Sequence, residues 1–339
     1  MQRKRELFEG RRATMISLGS SALAAAAWAA GGNAVAQPAS SAGSGVGATP
    51  SAGVHVKYGS RQIGDVRVFY REAGPQDAPV LLLLHGFPSA GHMFRDLIPL
   101  LADRYRVIAP DLPGFGYTVA PPRGAFDYSF ERLTDVIEQF VDAMKLTRYA
   151  LYIFDYGAPT GLRLALRHPD RVSAIVSQNG NAYMEGFSDN WGAAQAYWRD
   201  PSAANRERCR DVLMSDDAIR FQYEHGAPAG RLSPDGYTLD TWYMHRPGAK
   251  DIQLDLTLSY ATNLPLYPEF QKYFRDHRPP LLAVWGKHDP IFIPPGAEAF
   301  KRDLPDAEVH LLDAGHFALE THHVEIAALI REFLPRHGV

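Results

Sequence analysis

Residues 153–158 read IFDYGA and place an acidic side chain between an apolar strand pattern and a helical pattern. In a G-x-S-x-G elbow, a sharp strand-to-helix turn lifts the nucleophile above the sheet, and small neighbouring residues avoid clashes. Here Asp155 holds the nucleophile's position and Gly157 is the small residue two places on, whereas Ile153 replaces the usual small residue two places before. The pattern predicts that Asp155 is the nucleophile.

A carboxylate nucleophile selects a particular chemistry. It is charged at neutral pH, so it can displace a leaving group from saturated carbon directly and form an alkyl ester. Attack on an ordinary carboxylic ester would give an anhydride instead, which disfavours esterase activity. Cleavage of the alkyl ester then requires a general base that activates water.

Two further groups follow predicted strands near the C-terminus. Residues 285–290 read WGKHDP, and residues 314–317 read AGHF. The chain order nucleophile, acid, histidine predicts that His316 is the general base and that Asp289 orients it and stabilises its cation. No carboxylate follows the preceding predicted strand until Glu185, so Asp289 is preferred as the acid.

Backbone donors for an oxyanion are predicted from two loops. Residues 85–88 read HGFP after an apolar strand pattern. In such a loop the residue after the His-Gly pair supplies an N–H group, which here belongs to Phe87. The N–H of Tyr156 opens a helix and is the second candidate donor. His85 itself braces the loop in this interpretation, and Pro88 favours a cis peptide.

These groups depend on strands that alternate with helices from residue 54 onward. Short, continuously apolar strands between amphipathic helices predict an α/β fold with a mostly parallel sheet covered on both faces. Between residues 180 and 273 the apolar residues recur at helical spacing, and Tyr, Trp, Asn and Arg are frequent. We therefore expect a core formed by residues 53–179 and 274–339, with a helical cap over 180–273.

The motifs together resemble the α/β-hydrolase superfamily, in its epoxide hydrolase and haloalkane dehalogenase branch. The resemblance covers about residues 55–335 and is carried by the HGFP loop, the run DLPGFG at 111–116, the DYG elbow, Asp289 and the GH pair at 315–316. It implies an α/β-hydrolase fold with an eight-stranded sheet. It also implies a cofactor-independent hydrolase in which an Asp nucleophile forms an alkyl-enzyme ester.

The resemblance does not decide between two leaving groups, an epoxide oxygen and a halide. Dehalogenases of this branch bind halide with a Trp after the nucleophile and an Asn or Trp elsewhere, and those positions correspond here to Tyr156 and Phe87. Because a Phe side chain donates no hydrogen bond, an epoxide that opens to a vicinal diol is favoured, with a haloalkane as the alternative.

Epoxide hydrolases also place two cap tyrosines over the nucleophile. Tyr260 resembles the later one and is the candidate acid. The match to the earlier one falls on Ala194, with Tyr197 one helical turn further on. Tyr197 and Trp198 are therefore candidates for substrate binding.

Each catalytic candidate also has a structural interpretation. Asp155 could cap the helix of a non-catalytic binding protein, Asp289 could cap its own loop, and His316 could be a buried structural histidine. Because Asp155, Asp289 and His316 occur together in the expected order, a hydrolase is favoured. A binding protein that has lost turnover is the alternative.

Composition limits the partners. The 339 residues are 46% hydrophobic and 22% charged with a formal net charge of −3, which gives no electrostatic reason to expect nucleic acid or anionic membrane as a partner. The single cysteine, Cys209, excludes an intrachain disulfide, and no Cys/His grouping has the spacing of a metal site. We expect a small apolar substrate and water as ligands and no cofactor or metal; the sequence does not indicate an oligomeric state.

The N-terminal residues have the pattern of an export signal. Arg11 and Arg12 precede an Ala-rich apolar run over residues 15–32, and the AVA at 34–36 matches a signal-peptidase site. The arginine pair resembles a twin-arginine signal, and the general secretory route is the alternative. We expect residues 1–36 to be a signal peptide, residues 37–52 a flexible linker, and the mature chain to be periplasmic or secreted without a stable membrane span.

Overall fold

The computed structural model describes residues 54–339. The signal peptide predicted over residues 1–36 and the linker predicted over 37–52 lie outside the described residues. Within residues 54–339, no helix is both long and apolar enough to cross a membrane.

A single sheet organises the described chain. Its strands are β1 (Lys57–Ile63), β2 (Val66–Ala73), β3 (Val80–Leu84), β4 (Arg106–Pro110), β5 (Tyr149–Phe154), β6 (Val172–Gln178), β7 (Leu281–Gly286) and β8 (Glu308–Leu312). They lie in the order β1-β2-β4-β3-β5-β6-β7-β8. Strand β2 pairs antiparallel with β1 and β4, and the other neighbours are parallel. The predicted mostly parallel, eight-stranded sheet is confirmed.

Helices cover the sheet and fill the connections. In chain order they are α1 (Ile98–Leu101), α2 (Phe130–Ala143), α3 (Gly157–Arg167), α4 (Gly192–Arg199), α5 (Ala203–Leu213), α6 (Asp216–Glu224), α7 (Asp235–Met244), α8 (Ala249–Ser259), α9 (Tyr267–His277), α10 (Pro295–Glu298), α11 (Phe300–Asp303) and α12 (Ala318–Arg336). Short 3₁₀ turns occur at Gly91–Phe94, Pro169–Arg171, Met184–Gly186, Asp189–Trp191 and Tyr260–Leu266. Helices α4 to α9 form one insertion between β6 and β7, called the helical insertion below.

Apolar side chains pack on both faces of the sheet. Leu82 and Leu84 of β3 join a core cluster with α2, α3 and the helical insertion. Leu81 and Leu83 point to the other face, where α1 and α12 cover them. Strand β5 is buried at every position, which explains why its sequence is continuously apolar rather than alternating.

The parallel strands end at one edge of the sheet. Because β3, β5, β6, β7 and β8 all run in the same direction, the loops that follow them meet there. These loops carry the HGFP motif, Asp155, Asp289 and His316. The topology therefore places the predicted chemistry at a single edge.

Candidate active site

Asp155 occupies the bend between β5 and α3 with a backbone φ of 45°. This left-handed conformation is uncommon for residues with side chains, and Asp tolerates it better than most. Gly157 is required because a Cβ there would lie 2.2 Å from the carbonyl oxygen of Leu84. Ile153, the departure from the usual motif, packs against Gly161, where a Cβ would be 2.7 Å from the Ile153 Cγ2. A glycine in α3 thus makes room for the larger strand residue.

The carboxylate of Asp155 is held by backbone donors. The N–H of Phe87 donates to Oδ1 across 2.6 Å, and the N–H of Tyr156 contributes to lowering the pKa of this carboxylate. Burial raises the pKa of Asp155 to about 6, although nearby His316 and the two N–H groups act in the opposite direction. Of the two donors predicted to stabilise an oxyanion, Phe87 thus holds one oxygen of the Asp155 carboxylate.

His316 and Asp289 lie beside this carboxylate. The Nδ1 of His316 is 2.8 Å from Oδ2 of Asp289, and its Nε2 is 3.9 Å from Oδ2 of Asp155. The longer separation exceeds the roughly 3.2 Å limit of a usual N–H···O hydrogen bond. Among residues 54–339, Nε2 has no hydrogen-bond partner. The structure thus brings the three predicted residues together and leaves the reactive nitrogen of the imidazole free.

The neighbouring carboxylates influence the pKa of the His316 imidazole. Burial by itself lowers the pKa of His316, but Asp289 and Asp155 outweigh that effect, so the pKa is raised above its ordinary 6.5. Asp289 can only accept hydrogen bonds when ionised, so Nδ1–H is the donor in their contact. This fixes the tautomer in which Nε2 can take a proton from water.

Asn179 was missed by the sequence reasoning. It follows β6 in a left-handed conformation, with a φ of 47°. Its Nδ2 donates to Oδ2 of Asp289 across 2.6 Å, and its Oδ1 accepts from the N–H of Gly286 across 3.2 Å. Asn179 carries an amide, so it was not considered when a carboxylate was sought in the loop after β6. The only feature of the sequence that could have indicated it is its position at the end of a strand.

His85 has a supporting role. Its Nε2 accepts a hydrogen bond from the N–H of Leu112 at 2.9 Å, and its Nδ1 lies 3.2 Å from the carbonyl oxygen of Gly86. Burial lowers the pKa of His85 to about 4, so the imidazole is neutral at neutral pH. The side chain ties together the loops after β3 and β4, as the sequence interpretation proposed.

A cavity of about 40 Å³ opens beside Asp155. At about 10–15 Å³ for each water probe, it has room for only a few water molecules. Its wall is mostly apolar and combines core loops with the helical insertion. The lining residues are Phe87, Asp155, Tyr156, Asn190, Trp191, Leu213, Gln222, Thr257 and Ile291.

Comparison with known proteins identifies the family. A family model described as the alpha/beta hydrolase fold matches residues 79–323. The chain belongs to the α/β-hydrolase family. A Saccharomyces cerevisiae hydrolase described as uncharacterised is 45% identical over 284 residues, covering 81% of this chain and 96% of the relative.

Other relatives of this α/β-hydrolase are more distant or partial. A haloalkane dehalogenase of Psychrobacter cryohalolentis is 40% identical over 116 residues, which cover 34% of this chain and 38% of that protein. The structure of a Pseudomonas aeruginosa protein provisionally assigned as an epoxide hydrolase matches with a TM-score of 0.69 at 20% identity, over 84% of this chain and 96% of that one. At this identity the structural match shows the fold alone.

The predicted acid of this α/β-hydrolase packs against two residues of the cavity wall, Tyr156 and Trp191, without lining the cavity itself. Tyr260 is fully buried at the end of α8, and its hydroxyl is 3.3 Å from that of Tyr267. Its ring stacks on Trp198 with centroids 5.7 Å apart. The structure does not bring Tyr260 among the residues that line the cavity, because the helix ends there and turns its ring into an aromatic cluster.

The two other predicted residues of the helical insertion also face inward. The hydroxyl of Tyr197 accepts a hydrogen bond from Arg206 at 3.0 Å, and the indole N–H of Trp198 donates to the carbonyl of Thr257 at 2.6 Å. Neither residue lines the cavity. Their contacts hold α4, α5 and α8 together, so the geometry gives no support to the substrate-binding roles predicted for them.

Different residues of the insertion face the cavity. Asn190 and Trp191 donate to the carbonyls of Pro290 and Ile291, at 2.7 and 3.1 Å, and so fasten the insertion to the loop after β7. Gln222 reaches the cavity from α6. Sequence reasoning did not single out Asn190 or Gln222, since nothing in their spacing distinguishes an inward-facing polar residue from an exposed one.

Proposed function

We propose that this α/β-hydrolase cleaves a bond between saturated carbon and a leaving group through an alkyl ester on Asp155, and that an epoxide opened to a vicinal diol is its substrate. The observation that carries the proposal is the orientation of Asp155. Its Oδ1 is held by the N–H of Phe87 at 2.6 Å, while its Oδ2 lies 3.9 Å from Nε2 of His316 beside the cavity.

The two carboxylate oxygens then have different roles. Oδ2 attacks the carbon and becomes the ester oxygen, and Oδ1 becomes the carbonyl oxygen of the ester. His316 takes a proton from water, which attacks that carbonyl, and the N–H groups of Phe87 and Tyr156 stabilise the resulting oxyanion. Loss of one such donor typically costs roughly 3 kcal/mol of barrier lowering.

The cavity favours an epoxide over a halide. A departing halide needs hydrogen-bond donors in a dry pocket, yet the Phe87 side chain has none and the Trp191 N–H is bonded to the carbonyl of Ile291. A haloalkane is the second candidate, since a relative over about a third of the chain is named a haloalkane dehalogenase and a tryptophan lines the cavity. Measurement of diol and halide release with both substrate classes separates the two; halide release without diol would exclude the epoxide assignment.

A single turnover in heavy-oxygen water tests the ester mechanism. The label is expected in Asp155 after one turnover, with the first product unlabelled. Direct appearance of label in the first product would contradict an ester intermediate. In His316→Ala, we expect the ester to accumulate on Asp155 and to be visible by mass spectrometry. The matched variant Asp155→Asn with His316→Ala should give no adduct.

We also propose that the mature chain acts outside the cytoplasm. The support is the pattern of residues 1–36, in which an arginine pair, an apolar run and a small-residue cleavage site follow one another. On this proposal the substrate is one met in the periplasm or the medium.

A further inference from the structure

The proposed epoxide opening requires a proton donor in the cavity wall. When a carboxylate opens the ring, the departing oxygen becomes an alkoxide, which is about as basic as hydroxide and has to be protonated (water has a pKa of about 15.7). Tyr260, the residue expected to supply this proton, does not line the cavity. The donor must therefore be sought among the residues that do.

Most hydrogen-bond donors in the cavity wall already have an acceptor within the protein. The hydroxyl of Thr257 donates to the carbonyl of Gln253, one helical turn earlier, across 2.8 Å. The indole of Trp191 and the amide of Asn190 donate to backbone carbonyls after β7. The Thr257 and Trp191 groups would have to break a bond before they could reach a substrate. The second amide hydrogen of Asn190 is not used by the bond to Pro290, but an amide is not a proton donor of the kind used in general acid catalysis.

The phenol of Tyr156 is different. Tyr156 directly follows the nucleophile, lines the cavity and is 4% exposed. Its hydroxyl lies 3.4 Å from Oγ1 of Thr257. Because the Thr257 hydrogen is used by Gln253, the phenol is the donor in this contact. At that length the hydrogen bond is weak, so the phenol can transfer it to a stronger acceptor.

Packing restrains the Tyr156 phenol, and burial keeps it protonated. Its ring packs against Phe130 and Phe87, with centroid distances of 5.0 and 5.8 Å, which restrict the direction of the hydroxyl. Burial, and to a lesser extent the charge of Asp155, raises the pKa of Tyr156 well above 10.0. The phenol therefore carries its proton throughout the neutral range.

We propose that Tyr156 is the general acid that protonates the epoxide oxygen as Asp155 attacks. This inference rests on the proposed epoxide hydrolysis. The ring C–O bond breaks, the bond between carbon and Oδ2 of Asp155 forms, and the phenol proton moves to the ring oxygen, which leaves a phenolate. Hydrolysis of the ester consumes water and releases one proton, and that proton restores the phenol.

Gln222 supplies a second donor for the same oxygen. It lines the cavity from α6, is 7% exposed, and makes no side-chain hydrogen bond to any of residues 54–339. Its amide hydrogens are therefore available to a molecule in the cavity. A substrate oxygen in the cavity would accept one of them. Tyr156 and Gln222 thus replace the pair of cap tyrosines that the family resemblance led us to expect.

The test follows ester formation alone, in a His316→Ala background, with styrene oxide and propylene oxide as probes. Tyr156→Phe should slow accumulation of the adduct on Asp155 by about 100-fold or more, the usual contribution of a general acid. The matched control is Tyr149→Phe at the opposite end of β5, where the phenol is buried without a hydrogen-bond partner among residues 54–339. That variant should alkylate at the parent rate. Gln222→Leu should require a higher epoxide concentration for half-maximal alkylation.

Each outcome separates this inference from the proposed function. If the His316→Ala parent forms no ester with either probe, epoxide hydrolysis itself fails. If the parent forms ester and Tyr156→Phe forms it equally fast, Tyr156 is not the acid; a large loss in Tyr260→Phe instead would assign that role to the cap tyrosine. An unchanged unfolding temperature verifies that Tyr156→Phe is folded. Tyr156→Met, which also lacks the hydroxyl, serves as a second variant should the first unfold.

Discussion

Asn179 donates a hydrogen bond from Nδ2 to Oδ2 of Asp289 across 2.6 Å. The same oxygen lies 2.8 Å from Nδ1 of His316. An ionised carboxylate oxygen can accept more than one hydrogen bond, so the amide restrains Asp289 without displacing the imidazole. The orientation of His316, the proposed general base, thus depends on the loop after β6 as well as on the loop after β7.

Asn179→Gly should slow hydrolysis of the ester while leaving its formation unchanged. Glycine adopts the φ of 47° without strain, so the variant isolates loss of the amide. A hydrogen bond to a charged group contributes about 1.5–3 kcal/mol, which corresponds to roughly a 10- to 100-fold loss of rate. Single-turnover kinetics measure the two steps separately. Lys145→Gly, at an exposed residue with a φ of 58°, is the control; equal rates in both variants would show that Asn179 does not position Asp289.

Gly86→Ala should suppress ester formation. A Cβ at this position would lie 2.4 Å from Oδ1 of Asp155 and would displace the carboxylate. A displacement of about 1 Å can cost about 100-fold in rate. The control is Gly192→Ala, since a Cβ there meets nothing within 4 Å. Near-normal alkylation in Gly86→Ala would contradict the assigned position of the nucleophile.

Ester formation should fall as the pH is lowered through about 6, because burial raises the pKa of Asp155 to that value and only the ionised carboxylate attacks. The measurement is the rate of adduct accumulation in His316→Ala, where the base step is absent. Removal of the imidazole also removes an influence that lowers this pKa, so the midpoint should lie at or above about 6. A midpoint near the ordinary value of 3.8 would be inconsistent with a buried nucleophile.

Asp155→Asn should raise the free energy of unfolding at neutral pH. The folded state binds the Asp155 proton more tightly than the unfolded state, with a pKa of about 6 against 3.8. Stability from this group is therefore full below 3.8 and is lost as the pH rises through about 6. The difference corresponds to an upper limit of roughly 3 kcal/mol, at about 1.4 kcal/mol per pKa unit. Urea titrations at both ends of this range test it; an equal gain at acidic and neutral pH would contradict the electrostatic cause.

Replacement of Arg11 and Arg12 by lysine should retain the chain in the cytoplasm of a bacterial host if the twin-arginine route exports it. Cell fractionation measures the distribution, and the N-terminal residue of the exported chain should be Gln37. Export that persists in the lysine variant would indicate the general secretory route. Retention of the unaltered chain would contradict export altogether.

The three core residues could be brought to one edge from the sequence because each of them follows a predicted strand. The strand patterns fixed the edge where Asp155, Asp289 and His316 meet, and the order of these residues along the chain indicated their roles. Asn179 occupies an equivalent position, but an amide at a strand end has no distinctive pattern. It is recognised only from its distance to Asp289.

The cavity side of the helical insertion could not be predicted in the same way. A strand alternates its side chains strictly, whereas the direction of a helical residue depends on how the whole helix is rotated against its neighbours. The motif match to Tyr260 therefore placed this residue in the helical insertion without showing that its hydroxyl contacts Tyr267. Gln222 and Tyr223 are neighbours in α6, yet one lines the cavity and the other stacks on Phe317 at 3.7 Å.

The space beside the nucleophile, about 40 Å³, is far below the roughly 300–1,000 Å³ of usual ligand pockets. A molecule larger than a few waters has to push side chains of the helical insertion apart before it can touch Asp155. On the proposed function, a substrate would therefore be selected as it enters, by how readily the side chains of the helical insertion move apart to admit it.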